Sequence, residues 1–178
     1  LEKFSNAVSK IKVGDGFDEG VISGPLIDEL SLNKVKDQVT DAANTGAKIA
    51  VGGDVHSLGG NFFQPTVLSE VTPNAKITYE ETFGPVAPLY KFSDDEEVIK
   101  MANDTPYGLA SYFYSRDIGR VWRVAEALEY GIVAVNNGAP TKAEMPFGGM
   151  KESGSGREGS KYGIDDFLEI KYISMAGI

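Results

Sequence analysis

Apolar side chains open the chain at helical spacing: Leu1, Phe4, Val8 and Ile11 share one face and predict a first helix. After the glycine-studded stretch VGDGFDEGVISGPLI the same spacing returns in Leu32, Val35, Val39 and Ala42. It predicts a second amphipathic helix from about Asp28 to Asn44, with Gly46 as its stop. The period then shortens. AKIAVGG and FFQPTVL read as short strands on either side of the turn-rich DVHSLGGN, and Pro65, which has no N–H to give to a ladder, argues for an edge position.

From Val86 onward strand and helix patterns alternate: VAPLYKF, a helix from Asp94 to Asn103, ASYFYS, a helix from Ile118 to Leu128, then GIVAVNN. Each helix is long enough to cross over a sheet, so the fold class is α/β, with a mainly parallel sheet and crossover helices. Ser93 with Glu96 forms a capping-box pattern, Asp117 can cap the following helix and Gly131 can end it. Trp122 falls beside Val121, Ala125 and Leu128, which predicts a packing role on the buried stripe. FLEIKYIS alternates apolar and polar positions and predicts a last strand. Parallel sheets bind ligands outside the carboxyl ends of their strands. The long irregular loop after IVAVN, NGAPTKAEMPFGGMKESGSGREG, is therefore the candidate functional segment.

Composition narrows the function classes. The chain has 178 residues, 42% hydrophobic and 10% aromatic, enough for one ordinary globular core. Seventeen basic against 26 acidic side chains give a net charge of -9, and no Lys/Arg cluster is present to follow a phosphate backbone, which argues against nucleic acid. No apolar run reaches the ~18 residues of a membrane span, and the first residues do not read as a signal or transit peptide. The expectation is a soluble, cytoplasmic protein with no membrane partner. Cysteine is absent, so no disulfide, thiolate metal site or thiol nucleophile is available here. His56, the sole histidine, sits in a turn-rich loop and reads as a surface residue, while Asp94 to Glu97 read as a helix start rather than a metal site.

Gly154, Gly156 and Gly159 spell a literal G-x-G-x-x-G. A dinucleotide fingerprint needs a buried strand before it, a helix after it and an acidic residue ~20 positions on. The polar GGMKES precedes this one and too little chain follows for a second crossover, so it is not such a fingerprint. It lacks the lysine of a phosphate-binding P-loop as well.

Four stretches give the glycines another meaning. EETFGPV at Glu80 to Val86, ANDTPYGLA at Ala102 to Ala110, GIVAVN at Gly131 to Asn136 and PFGGMKESGSGREG at Pro146 to Gly159 together resemble the aldehyde dehydrogenase superfamily in order and separation. REGSKYGIDDFLEIKY, GGNFFQPTV and EALEYGIVAVN are most similar to its succinate-semialdehyde dehydrogenases. The resemblance implies the C-terminal part of a longer catalytic protein, as the start at Leu1 inside a helix pattern also suggests. Residues 1–166 would belong to the catalytic domain and 167–178 would form a C-terminal oligomerisation strand, giving a homodimer or homotetramer. It implies further that a cysteine thiolate upstream attacks an aldehyde, that hydride passes to NAD or NADP, and that an upstream glutamate activates water. This segment alone would then be inactive. By the same resemblance Glu81 binds the ribose hydroxyls beside the nicotinamide and Phe83 lies against the ring. Phe147 lies at the mouth of the substrate tunnel. Thr141 stands where the family's succinate-semialdehyde enzymes usually carry a serine that binds the substrate carboxylate, with Lys142 as a neighbouring source of positive charge. Arg157 and Glu158 are free to pair structurally in a loop shaped by the glycines.

Overall fold

A computed structural model describes residues 1–177, and the chain divides into two compact units, Leu1–Lys91 and a second beginning at Phe92. In the first unit, helix α1 (Glu2–Val8) and helix α2 (Glu29–Asn44) accompany a three-stranded sheet of β1 (Lys48–Val51), β2 (Thr66–Ser69) and β3 (Val86–Pro88), with a single helical turn, α3 (Lys76–Tyr79), between β2 and β3. Strand β1 runs antiparallel to β2, and β3 runs parallel to it. The apolar stripe of α2 is buried as its spacing requires: Leu32, Val35, Val39 and Ala42 form the core with Phe63, Leu68, Val71, Ala75 and Ile77. Asp28 caps the helix by accepting from the Ser31 N–H at 2.7 Å. Its far end closes on Gly46, at φ +111°, whose N–H meets the Ala43 carbonyl while Ala47 N–H reaches back to Ala42. That is the paired hydrogen-bond pattern of a glycine-terminated helix.

One expectation about this unit is corrected. The FFQPTVL segment is not an edge: β2 is the central strand and all four of its residues are buried. Pro65 is tolerated because it lies one position before the first ladder residue, where no N–H is needed. The first helix buries only Val8 of its apolar face, leaving Leu1 and Phe4 exposed and Ile11 half-buried.

In the second unit, β5 (Ala110–Phe113) and β6 (Ile132–Val135) pair in parallel, joined by the crossover helix α5 (Ile118–Ala127), as the alternating pattern predicts. Helix α4 (Asp95–Asn103) precedes them, and β4 (Tyr107–Gly108) pairs antiparallel with β7 (Met150–Lys151). The parallel arrangement is thus two separate pairs, because β3 takes its partner from β2. Asp117 caps α5 through the Arg120 N–H at 2.8 Å, and that bond holds its carboxyl below the usual aspartate range, so it is an ionised acceptor at neutral pH. The α4 cap lies one residue later than expected. Asp94 accepts from Glu97 N–H at 2.9 Å and the Glu97 carboxylate accepts from Ser93 N–H at 2.7 Å, so Glu96 takes no part.

Trp122 is corrected as well. It is 62% exposed, and Ile118, one turn before it, is exposed with it. The buried stripe of α5 runs through Val121, Val124, Ala125 and Leu128, and a residue one position after Val121 is rotated ~100° away from that stripe. The FLEIKYIS segment pairs with no strand among the described residues of this chain. A short 3-10 turn, Asp165–Phe167, is followed by residues that enter no ladder, with Leu168, Ile170 and Tyr172 all exposed. A lone strand has nowhere to place its N–H and C=O groups except in water, so alternation alone does not create one. Residue 178, which ends the expected oligomerisation strand 167–178, lies outside the described residues. No helix among the described residues is long and apolar enough to cross a membrane.

Side chains from three sequence motifs tie the ends of α4 and α5 together. Asn103 donates to the Ala127 carbonyl at 2.8 Å and accepts from Glu129 N–H at 2.9 Å. The Lys151 ammonium donates to the carbonyls of Asn103 and Thr105 and pairs with Glu129 at 2.7 Å. Tyr130 donates its hydroxyl to Ala102 O, and burial pushes that phenol above its usual range, keeping it protonated for the task. Gly131 does not end α5, whose cap is Leu128 three positions earlier. Its missing Cβ instead leaves room for the backbone of Gly148 and Gly149, against which any side chain would collide.

Gly131→Ala is expected to destabilise the second unit by about 2–3 kcal/mol, since a methyl group there meets main chain rather than a movable side-chain tip. Gly138→Ala is the control: its nearest neighbour would be the Tyr114 hydroxyl at 3.6 Å, an ordinary contact, and its change should stay within about 0.5 kcal/mol. Urea unfolding of both variants measures the difference, and equal midpoints would refute the close-approach argument.

Candidate active site

The segment between α3 and β3 carries the first pair of candidate residues. Its exit is fixed by the sheet: Thr66 N–H donates to the Pro85 carbonyl at 2.8 Å, and Val86 N–H turns back onto Gly84 O at 2.8 Å. Glu81 is exposed, and among the described residues its carboxylate has no hydrogen bond or ion pair. Phe83 is 82% exposed and sits at φ +48°, the left-handed region that a bulky residue avoids. A solvent-facing aromatic in a disfavoured backbone conformation gains nothing from core packing. This is a pattern found at sites where the surroundings hold a residue ready for a ligand.

The second pair lies in the loop after β6. Phe147 is half-buried and bridges Glu158 through both backbone bonds, N–H to O at 2.9 Å and the return at 2.6 Å. Ser160 N–H adds a bond to Ala143 O. The GSGREG glycines make this backing strand-like turn possible: Gly154, Gly156 and Gly159 have φ of +107°, +78° and +63°. A Cβ on Gly148 would meet Gly156 O at 2.6 Å. The literal G-x-G-x-x-G thus shapes the loop that holds Phe147, in keeping with its reading as no dinucleotide fingerprint.

Arg157 does not pair with Glu158. Its guanidinium donates to the carbonyls of Gly149 at 2.9 Å and Gly156 at 2.6 Å, while its own N–H donates to Asp166 at 3.1 Å. Between these segments lies a cavity of about 640 Å³ whose wall includes Leu109, Phe147, Arg157, Asp166 and Phe167. Thr141 and Lys142 lie on the exposed start of the same loop. Among the described residues the threonine hydroxyl has no hydrogen-bond partner and the ammonium no ion-pair partner.

The structure therefore brings Glu81 and Phe83 together on one loop of the first unit, and Thr141 and Phe147 on one loop of the second. His56 is half-buried and serves its own turn, accepting from Leu58 N–H at 3.3 Å. No cluster of potential metal ligands occurs among the described residues. Sequence reasoning missed Gln38, a fully buried polar residue on the α2 stripe whose amide reaches Glu80. Its position between Val35 and Val39 was the available signal, since a glutamine at a stripe position needs a polar partner. Lys151 was missed too, and nothing in the local pattern marks a lysine that works through carbonyls nearly fifty positions away.

Comparison with known proteins gives these loops a context. Residues 1–173 match the model of the aldehyde dehydrogenase family. The chain is 59% identical over 172 residues to the succinate-semialdehyde dehydrogenase [NADP(+)] of Escherichia coli, covering 97% of this chain and 36% of that protein. It is 55% identical over 177 residues to the 3-sulfolactaldehyde dehydrogenase of Pseudomonas putida, covering 99% of this chain and 36% of the relative. The crystal structure of succinate-semialdehyde dehydrogenase from Burkholderia pseudomallei superposes with a TM-score of 0.94 at 55% identity, over 97% of this chain and 36% of that one. The chain spans little more than a third of the length of these relatives, and it belongs to the aldehyde dehydrogenase family.

Proposed function

We propose that this chain is the C-terminal part of an NAD(P)-dependent aldehyde dehydrogenase that oxidises succinic semialdehyde to succinate, with cofactor-binding residues on the 80–84 loop of the first unit and substrate-binding residues on the loop after β6 of the second. The observation that carries the reading is the loop at 80–84: a carboxylate without a partner among the described residues and an outward-facing, strained phenylalanine two positions apart, within the stretch that matches the family. A carboxylate can accept from two vicinal hydroxyls at once, which suits Glu81 to the ribose beside the nicotinamide. A flat apolar ring restricts how that nicotinamide turns, which suits Phe83 to orientation. When bound, the cofactor supplies the hydride acceptor. This chain has no cysteine, so the thiolate of such an enzyme lies outside these 178 residues, which alone have no turnover.

On the substrate side, Phe147 forms an apolar wall, and Thr141 with Lys142 offers a hydroxyl donor and a positive charge to the far end of the aldehyde. Both side chains are uncommitted among the described residues, which supports a ligand carrying an anionic group. The 55% identity to an enzyme named for a sulfonated aldehyde favours a second reading, oxidation of an aldehyde with a different terminal anion. The exposed apolar positions Leu168, Ile170, Tyr172 and Ile173 suit residues 167–178 to pairing in a homo-oligomer, and residues 1–166 to the catalytic domain.

In the whole enzyme, kcat/KM for succinic semialdehyde should exceed that for butanal by about a hundredfold. Thr141→Ala should remove about tenfold of it while leaving butanal unchanged, as expected for one hydrogen bond to a charged group. Equal rates with the two aldehydes would remove the carboxylate-reading pocket, and a sulfonated aldehyde outrunning both would favour the second reading. Phe83→Gly should stabilise the fold by up to about 1 kcal/mol by relieving the left-handed backbone, while raising the KM for the cofactor. Denaturant unfolding and initial rates read the two effects, and a destabilised variant with unaltered cofactor KM would contradict the assignment.

A further inference from the structure

We infer that Gln38 is a positioning residue for the nicotinamide end of the cofactor, acting through the backbone of the 80–84 loop; the inference rests on the proposed roles of Glu81 and Phe83. Gln38 lies on α2, forty-two positions before Glu80, and is fully buried. Its Nε2 donates toward both the Glu80 carbonyl and the Glu80 carboxylate at 3.4 Å. Its Oε1 is buried with no hydrogen-bond partner among the described residues. One turn earlier on the same helix, the Val35 methyl lies where a side chain at position 84 would have to go, 2.6 Å from a Cβ built on Gly84. Adjacent turns of α2 thus underlie both ends of the five-residue loop, the entrance through Gln38 and the exit through Val35.

A fold that needed only stability would not place this amide here. Two long hydrogen bonds and an orphaned oxygen are a poor return for burying a glutamine, and an apolar side chain of the same shape would fill the space without the unsatisfied group. What the amide adds is a fixed height and direction for the Glu80 peptide, from which Glu81 follows directly and Phe83 is turned into its left-handed conformation. Without that tether the carboxylate and the ring lose a common reference, and the cofactor must order the loop when it binds.

Gln38→Met and Gln38→Asn, made in the whole enzyme, separate positioning from packing. Methionine keeps the shape and removes the orphaned oxygen. Asparagine keeps a buried amide one methylene too short to reach Glu80. Both should raise the KM for the cofactor about tenfold, with the aldehyde KM changing less than about twofold. Their thermal midpoints should diverge, unchanged or higher for Gln38→Met and lower for Gln38→Asn. The inference is overturned if the cofactor KM stays within about twofold of wild type in both, or if the cofactor and aldehyde KM rise together in step with lost stability. Glu81→Gln in the same assay distinguishes the two layers. If it raises the cofactor KM and the Gln38 variants do not, this inference fails alone; if it changes nothing, the assignment of the loop fails and the inference with it.

Discussion

Close approach of main chain to main chain, allowed only where a Cβ is missing, is the constraint on which the second unit depends. Gly131 begins the segment that becomes β6, and the backbone of Gly148 and Gly149 occupies the space its side chain would need. Gly148 in turn lies against Gly156, and Gly108 against the carbonyls of Glu129 and Met150. Through these contacts an irregular loop is stacked, main chain on main chain, at the start of β6. Arg157 then donates to the Gly149 and Gly156 carbonyls that such a loop would otherwise strand, while Asn103 and Lys151 donate to the Ala127, Asn103 and Thr105 carbonyls at the ends of α4 and α5. Phe147 is held half-buried by its two backbone bonds to Glu158 and by the close-packed glycines that follow it.

The first unit reaches a similar end by different means. Its loop at 80–84 runs from α3 into β3 and rests on no stack of glycines; α2 supplies the support. The central strand β2, buried along its whole length, anchors both the antiparallel β1 and the parallel β3. Since β3 begins two residues after Gly84, the register of that parallel pair also sets where the loop ends. In both units a regular pair of strands carries an irregular segment, and the candidate residues sit on the irregular part.

What could be read from the sequence follows the same division. The α2 stripe and the β5–α5–β6 crossover were legible because their side-chain periods of 3.6 and 2 report a local geometry. Pro65 misled because its constraint acts on its own N–H, one position outside the ladder. Trp122 misled because neighbouring positions on a helix diverge by ~100°, so adjacency to a buried residue does not imply burial. The last segment, Phe167 onward, alternates as a strand does, yet alternation describes faces and says nothing about a partner. Gln38, Lys151 and the Gly131 contact were out of reach since each depends on atoms tens of positions away or on the space between two backbones. The candidate residues themselves were legible through motif resemblance. The exposure of Glu81, Phe83 and Thr141, the lack of partners for Glu81 among the described residues and the strained φ of Phe83 came from the structure.

The central claim is that the 80–84 loop receives the nicotinamide end of the cofactor. A crystal structure of the whole enzyme with NAD or NADP bound tests it most directly. The account predicts the Glu81 carboxylate within hydrogen-bond distance of both hydroxyls of the nicotinamide ribose, and the Phe83 ring against the nicotinamide, with the backbone at Phe83 still left-handed. A ribose held by other groups, with Glu81 pointing into solvent and Phe83 away from the ring, would contradict it.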